Sequence, residues 1–163
     1  MRRWSQIALL AGLAIFSTLV VFNNLTDFNS NFQFVRHVLS MDTTLPGNHG
    51  IWRALPGHNW HLAFYFFIIL WELVTALLLW VGVVQLARAA SATSAAYQAA
   101  RRIPLLALTL SLLMWLVAFL SVGGEWFLMW QSQTWNGQEP AFRMFLIVGI
   151  VYLSLLLPDS ESL

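Results

Sequence analysis

The stretch WHLAFYFFIILWELVTALLLWVGVVQL, residues 60–86, decides the fold. Its one acidic residue is Glu72, near the middle, and His61 lies near the start. About 20 mainly apolar residues suffice for a helix to cross a bilayer, and a helix satisfies its own backbone groups in lipid. Three further apolar runs, at about residues 5–22, 103–130 and 141–157, meet the same criterion. The sequence therefore predicts an all-α fold, a four-transmembrane-helix bundle.

The composition supports a protein that lies mostly in lipid. Of its 163 residues, 59% are hydrophobic and only 9% are charged, whereas about a quarter of the residues of a soluble domain are charged. This balance excludes a soluble enzyme and a nucleic-acid-binding protein of the basic-patch type. The chain has no cysteine, which excludes disulfides and thiolate metal sites. We expect residues 1–163 to form a single integral membrane domain whose first partner is the bilayer.

Residues 23–59 form the longest connection, between the first and second predicted spans. Within it, Phe32, Val35 and Leu39 recur at helical spacing, which predicts a short amphipathic helix over about residues 31–40. A second short amphipathic piece follows at about residues 51–55. The segment is therefore predicted to be an outer cap of short amphipathic helices over one end of the bundle.

The arginines predict the orientation of the chain. Cytoplasmic loops of membrane proteins carry an excess of arginine and lysine. One side of the predicted bundle has five arginines and the other side has three, which favours a cytoplasmic N-terminus and a cytoplasmic C-terminus. The first group comprises Arg2, Arg3, Arg88, Arg101 and Arg102, and the second comprises Arg36, Arg53 and Arg143.

A polar stripe runs along the second predicted span. His61, Tyr65, Glu72 and Thr75 share one helical face and lead from the outer surface to the middle of the membrane. A charge at that depth costs at least about 2.5–3.5 kcal/mol, so we expect Glu72 to be protonated, paired or in contact with water. The stripe has two interpretations: interhelical hydrogen bonding, or a proton or cation path that also suits the polar end of a quinone pocket.

Two further sets of residues are candidates for interactions at the outer side. Glu125 and Arg143 lie at similar depths on the third and fourth spans, which predicts a structural ion pair. His49, His58 and His61, together with Asp42, supply ligand types that a metal ion can use. Their spacing matches no established metal motif, so we favour hydrogen-bonding roles for these histidines and expect no cofactor.

The chain has distinctive segments at residues 31–43, 123–127, 129–132, 134–137, 141–143 and 157–159. Together these segments resemble one family, the uncharacterised bacterial proteins known as predicted small integral membrane proteins. The resemblance implies a bacterial inner-membrane location and four helices, and it implies no reaction. The distinctive positions cluster at the outer rim, at Asn31, His37, Asp42, Glu125, Trp126, Trp135 and Arg143.

Three functions remain open from the sequence. The favoured hypothesis is a non-enzymatic accessory or assembly component of a membrane complex, with a membrane-protein partner or a second copy of the chain. The second is a small proton- or cation-coupled transporter or channel that uses Glu72. The third is a membrane redox component that binds quinone or metal. A claudin-like architecture is a further alternative, although the chain lacks the cysteine pair expected of that group.

Overall fold

A computed structural model of the protein describes residues 1–158, and within this range it contains helices and turns but no β-strand. Asp159, the last residue of the family-like segments, lies outside the described residues. The third long helix begins with α-helical turns and continues without interruption into a wider π-helical segment, Met114–Trp126. The α-helices are α1 (Arg2–Thr26), α2 (Phe28–Ser40), α3 (His58–Ala89), α4 (Ser94–Ala100), α5 (Arg102–Leu113) and α6 (Gln138–Leu156).

Four helical segments are long and apolar enough to cross a membrane: Arg2–Thr26, His58–Ala89, Ser94–Trp126 and Gln138–Leu156. The predicted all-α fold with four spanning helices is thus confirmed. The first helix runs past the predicted end of its span at residue 22, because the polar residues after Phe22 continue the helix to Thr26. This extension places Asn23 and Asn24 on a spanning helix rather than in a loop.

The connection between α1 and α3 forms the predicted cap. It contains α2 and a 3₁₀ turn, Ile51–Arg53. The apolar face of α2 is buried, with Phe32, Val35 and Leu39 each less than a tenth exposed, and this helix packs on α3. We call this end of the bundle the cap end. The opposite end, where the Arg2 side chain donates a hydrogen bond to the Pro158 carbonyl, is the terminal end.

The apolar core falls into two clusters, one towards each end of the bundle. The cluster near the terminal end is centred on Leu10, Leu79 and Leu108, which are fully buried. The cluster near the cap end includes Phe32 and Tyr65.

Gly82 of α3 allows α5 to approach closely. A β-carbon at this position would lie 2.9 Å from Cγ and 3.2 Å from Cα of Pro104. Small residues have this role at helix contacts in membranes, where packing supplies much of the association energy. Pro104 lies in the first turn of α5, where its missing N–H leaves no hydrogen bond unmade.

The π-helical segment changes which side chains the third spanning helix presents to its neighbours. The Phe127 N–H donates to the Val122 carbonyl at 3.0 Å, five residues back, and the Ser121 hydroxyl donates to the Leu116 carbonyl at 2.9 Å. Sequence patterning had predicted one uninterrupted span over residues 103–130. The helix instead ends at Trp126, and a 3₁₀ turn, Met129–Gln131, follows it.

Candidate functional site

The polar stripe of α3 faces the interior of the bundle. The exposed fractions of His61, Tyr65, Glu72 and Thr75 are 3%, 2%, 5% and 1%. Neighbouring residues on the other faces of α3, such as Phe67, are exposed. The structure therefore places all four stripe residues on one buried face. His61 contacts the cap, whereas Tyr65 and Glu72 contact α1.

Glu72 takes part in a hydrogen-bond network that joins α1 to α3. The Asn24 amide Nδ2 donates to Oε2 of Glu72 at 2.6 Å. The Tyr65 hydroxyl donates to the Asn24 backbone carbonyl at 3.0 Å, with Asn24 Oδ1 at 3.3 Å. The other carboxyl oxygen of Glu72, Oε1, has no hydrogen-bond partner among residues 1–158. One acceptor of a nearly buried carboxyl group therefore remains available.

This network lines a cavity of about 250 Å³, which we call the polar cavity. Residues of α1, α2, α3, the π-helical segment and the start of α6 form its walls. Asn31 of α2 belongs to the lining, and its own amide donates to the Asp27 carbonyl at 3.2 Å. The polar lining residues are Asn24, Asn31, Tyr65 and Glu72.

A second cavity, of about 210 Å³, lies between α2, α3 and the π-helical segment, and we call it the apolar cavity. Its described walls are apolar side chains and Gly123, apart from the indole nitrogen of Trp71. That nitrogen already donates to the Leu110 carbonyl at 3.1 Å. The two cavities share the lining residues Phe34, Val35, Ile68 and Phe119.

Beyond Glu72, towards the terminal end, the interior becomes tight. Thr75 Oγ1 is buried and has no hydrogen-bond partner among the described residues. It borders a space of only about 10 Å³, which Glu72 and Ser111 also line, and a water molecule needs at least about 10–15 Å³. The next stripe position, Leu79, is fully buried. The space beside the polar groups is therefore wide towards the cap end and narrow towards the terminal end.

The predicted ion pair between Glu125 and Arg143 is absent from the described part of the chain. Both residues are exposed, and no nitrogen–oxygen contact within 4 Å joins them. The π-helical winding turns Gly124 rather than Glu125 towards α6, since a β-carbon on Gly124 would lie 2.6 Å from Nε2 of Gln138. The prediction assumed regular α-helical turns up to residue 130.

The histidines do not converge on a metal site. His49 and His58 are exposed, whereas Nε2 of His61 donates to the Leu55 carbonyl at 2.6 Å and lies 3.4 Å from the Ser40 hydroxyl. Within residues 1–158, no three His, Cys, Asp or Glu side chains form a group that could hold a metal ion. His61 instead connects the start of α3 to the cap.

The outer-rim candidates form separate contacts rather than one site. His37 Nδ1 lies 2.9 Å from the Asp42 carboxylate, and its ring stacks on Trp135 at a centroid distance of 4.7 Å. Trp126 lies 5.5 Å from the Arg53 guanidinium, and Arg53 also donates to the Trp126 carbonyl at 3.1 Å. Asn31 belongs to neither pair and lines the polar cavity.

Comparison with known protein families identifies the chain from almost its whole length. A family model described as "Predicted small integral membrane protein (DUF2165)" matches residues 2–158. The chain belongs to this family. No curated protein and no solved structure matches the chain. The predicted resemblance is confirmed, and the match together with the four apolar helices establishes an integral membrane protein of the bilayer.

In this member of the family, the residue that sequence reasoning missed is Asn24. Within residues 1–158 it supplies the only hydrogen bond to the Glu72 carboxyl group. The predicted first span ended at Phe22, so Asn24 was assigned to the cap. A signal was present, because Asn23 and Asn24 directly follow an apolar run with no turn residue between them. Extending the helix by one turn would have placed an amide inside the bundle.

Proposed function

We propose that this protein is a non-enzymatic accessory component of a membrane assembly, and that its working part is a ligand-binding cavity at Glu72. One observation carries the proposal: a nearly buried carboxyl group accepts one hydrogen bond, through Oε2, from the described part of the bundle and lines a cavity of about 250 Å³. A residue needed only to hold helices together gains most when all its polar atoms have partners. The remaining acceptor supports a ligand that donates a hydrogen bond.

The surrounding groups support binding rather than bond-making chemistry. Asn24 and Tyr65 hold the carboxyl group in place through fixed hydrogen bonds, and pockets that bind small molecules typically combine apolar walls with a few fixed polar groups. A membrane-protein partner or a second copy of the chain completes the proposed assembly. The exposed apolar surface of the four helices is available for either contact.

Native mass spectrometry of the protein extracted in mild detergent from its source membrane tests this function. We expect a bound small molecule on the wild-type chain, reduced occupancy on Glu72→Gln, and unchanged occupancy on the control Glu125→Gln, which alters an exposed carboxyl group. The same spectra report any partner chain and the stoichiometry. Wild-type protein without a bound ligand, or equal occupancy in all three proteins, would contradict the cavity assignment.

Proton- or cation-coupled transport is the second candidate, and Thr75 is the observation that favours it. Its buried hydroxyl, unpartnered among the described residues, lies one turn beyond Glu72 and extends the polar stripe. The space there holds no more than one water molecule, so transport would require the helices to move. Ion flux into proteoliposomes that is lost in Glu72→Gln supports transport, and flux that is equal in both proteins removes it.

The proposed location is the bacterial inner membrane, with both termini in the cytoplasm and the polar cavity in the outer half. The distribution of arginines supports this orientation. The chain has no cysteine, so Gln98→Cys in α4 and Gln133→Cys at the cap end can each be labelled alone. We expect an impermeant thiol reagent to label position 133 in intact cells and position 98 only after permeabilisation. The reverse pattern would overturn the orientation.

A further inference from the structure

We propose that the ligand is an amphiphile with one apolar chain and a hydrogen-bond-donating head, a hydroxyl or an ammonium group. Its head binds Oε1 of Glu72 in the polar cavity, and its chain lies in the apolar cavity. This inference rests on the proposed function and specifies the class of ligand. It follows from the wall that the two cavities share, from the distribution of polar groups along them and from the groups that line the polar cavity.

The two cavities are neighbours along one wall. Phe34 and Val35 of α2, Ile68 of α3 and Phe119 of the π-helical segment line both of them. Ile68 lies one helical turn from Glu72 on α3, at the spacing that places both side chains on adjoining surface. A single ligand that passes between these shared side chains would contact the Glu72 carboxyl group at one end and lie against α2 at the other.

The polarity of the lining differs sharply between the two cavities. The polar cavity contains one carboxyl group, two carboxamides and a phenol. The apolar cavity offers aromatic rings, aliphatic side chains and Met129, and its one indole N–H is already bonded. A wholly polar solute would leave the second cavity unfilled, and a wholly apolar one would cover the free carboxyl oxygen without bonding it, which is costly. An amphiphile satisfies both ends.

The charge of the lining selects the head group. Among the described residues that line either cavity, none is basic, and Glu72 is the one acidic residue. A phosphate or carboxylate head would lack a cationic partner and would lie beside another acidic group. A hydroxyl or ammonium group instead donates to Oε1, and a hydrogen bond in which one partner is charged is the stronger kind.

The apolar cavity also borders the surface that faces the lipid. Phe67 of α3 and Val117 and Val122 of the π-helical segment line it and are exposed. They lie on the two walls between which a chain would pass. A ligand that is already dissolved in the membrane can therefore enter sideways, without crossing the cap. This route favours a lipid-like molecule over a water-soluble amine or alcohol.

The test uses the full chain in lipid nanodiscs and a dodecylamine that carries a photoreactive diazirine at the end of its chain. We expect saturable labelling of residues that line the apolar cavity, in the region of Phe67, Trp71 or residues 117–122. Unlabelled dodecylamine and dodecanol should compete, whereas dodecyl phosphate and butylamine should compete at least about tenfold more weakly. Labelling on the outer faces of the helices, or equal competition by dodecyl phosphate, would overturn the inference.

Two variants separate the head from the chain. Ala118→Phe fills the apolar cavity, and we expect it to abolish labelling, while the control Ala63→Phe on an exposed face of α3 retains it. Glu72→Gln should weaken binding of the amine more than binding of the alcohol. Labelling of the unaltered chain gives an independent answer if Ala118→Phe does not fold.

The outcomes also distinguish this inference from the function on which it rests. If butylamine binds with an affinity that depends on Glu72 while dodecylamine gains nothing from its chain, the cavity function stands and the amphiphile is wrong. If no probe binds and native mass spectrometry finds no ligand that depends on Glu72, both proposals fail.

Discussion

The hydrogen bond between Asn24 and Glu72 provides the most direct test of the polar network. Asn24→Leu keeps approximately the size of the side chain and removes the amide that donates to Oε2 of Glu72 at 2.6 Å. The Tyr65 hydroxyl keeps its acceptor on the backbone carbonyl of residue 24, at 3.0 Å. The substitution also removes the longer contact of that hydroxyl with Asn24 Oδ1, at 3.3 Å, and the Glu72 carboxyl group loses its only hydrogen-bond partner within the described residues.

The expected loss of stability follows from the burial of that carboxyl group. Leaving a buried polar group unsatisfied costs about 1–3 kcal/mol, whereas interhelical hydrogen bonds measured inside a membrane protein average about 0.6 and reach about 1.7 kcal/mol. Glu72 is 5% exposed, and its other oxygen is unpartnered in the described chain, so little compensation is available. We expect Asn24→Leu to lower the free energy of unfolding by about 1–1.7 kcal/mol, where the two ranges overlap.

Reversible unfolding in mixed micelles, titrated with a denaturing detergent, measures this loss. The double-mutant cycle with Glu72→Leu should give a coupling energy of about 1 kcal/mol. Asn24→Leu alone leaves the Glu72 carboxyl group without a donor, whereas the double variant has no carboxyl group at this position. Asn23→Leu is the matched control, since Asn23 is exposed and adjacent, and it should change stability by less than about 0.5 kcal/mol. A coupling energy below about 0.3 kcal/mol would refute the proposed contact.

Two further predictions concern packing and the cap. Gly82→Ala should destabilise the protein by about 1–3 kcal/mol, because the new β-carbon would lie 2.9 Å from the Pro104 ring. The control Gly12→Ala, whose β-carbon would have no atom within 4 Å, should be neutral or stabilising in the same unfolding titration. Equal effects of the two substitutions would contradict the close approach of α3 and α5. His61→Ala should cost about 1–3 kcal/mol and increase proteolysis of residues 41–57, because the Leu55 carbonyl loses its donor. His49→Ala, at an exposed position, should leave the rate of cleavage unchanged, and a similar rate in both variants would show that His61 does not hold the cap.

The fold could be predicted from the sequence because few backbone structures are stable in lipid. Runs of apolar residues long enough to span a bilayer must form helices, so composition and length predicted four spans and the cap between the first two. The π-helical winding of Met114–Trp126 was not accessible. This segment, MWLVAFLSVGGEW, is apolar at nearly every position, so hydrophobic periodicity does not distinguish a regular α-helix from a π-helix there. The predicted contact of Glu125 with Arg143 failed for this reason.

The site could be predicted in part, because polar residues are rare in the apolar spans. Glu72 stands out in any apolar span, and helical spacing assigned Tyr65 and Thr75 to the same buried face. Which residue of another helix meets Glu72 depends on how the helices cross and on their depth, and neither is encoded in the pattern of a single span. Asn24 was missed on that account. The cavities were missed as well, because they arise where α2 and the π-helical segment fail to fill the space beside α3.

The choice of glutamate at position 72 bears on whether this network is only structural. A glutamine there would accept the same hydrogen bond from Asn24 through its amide oxygen, and it would add a donor, without placing an ionisable group at mid-membrane, which is costly. For holding helices together, glutamine is therefore at least as good. A carboxyl group offers what an amide does not: a second acceptor and the capacity to carry negative charge towards a cationic ligand. If Glu72→Gln retains stability but loses the ligand, the carboxyl group serves binding, and the hydrogen bond from Asn24 serves to position it.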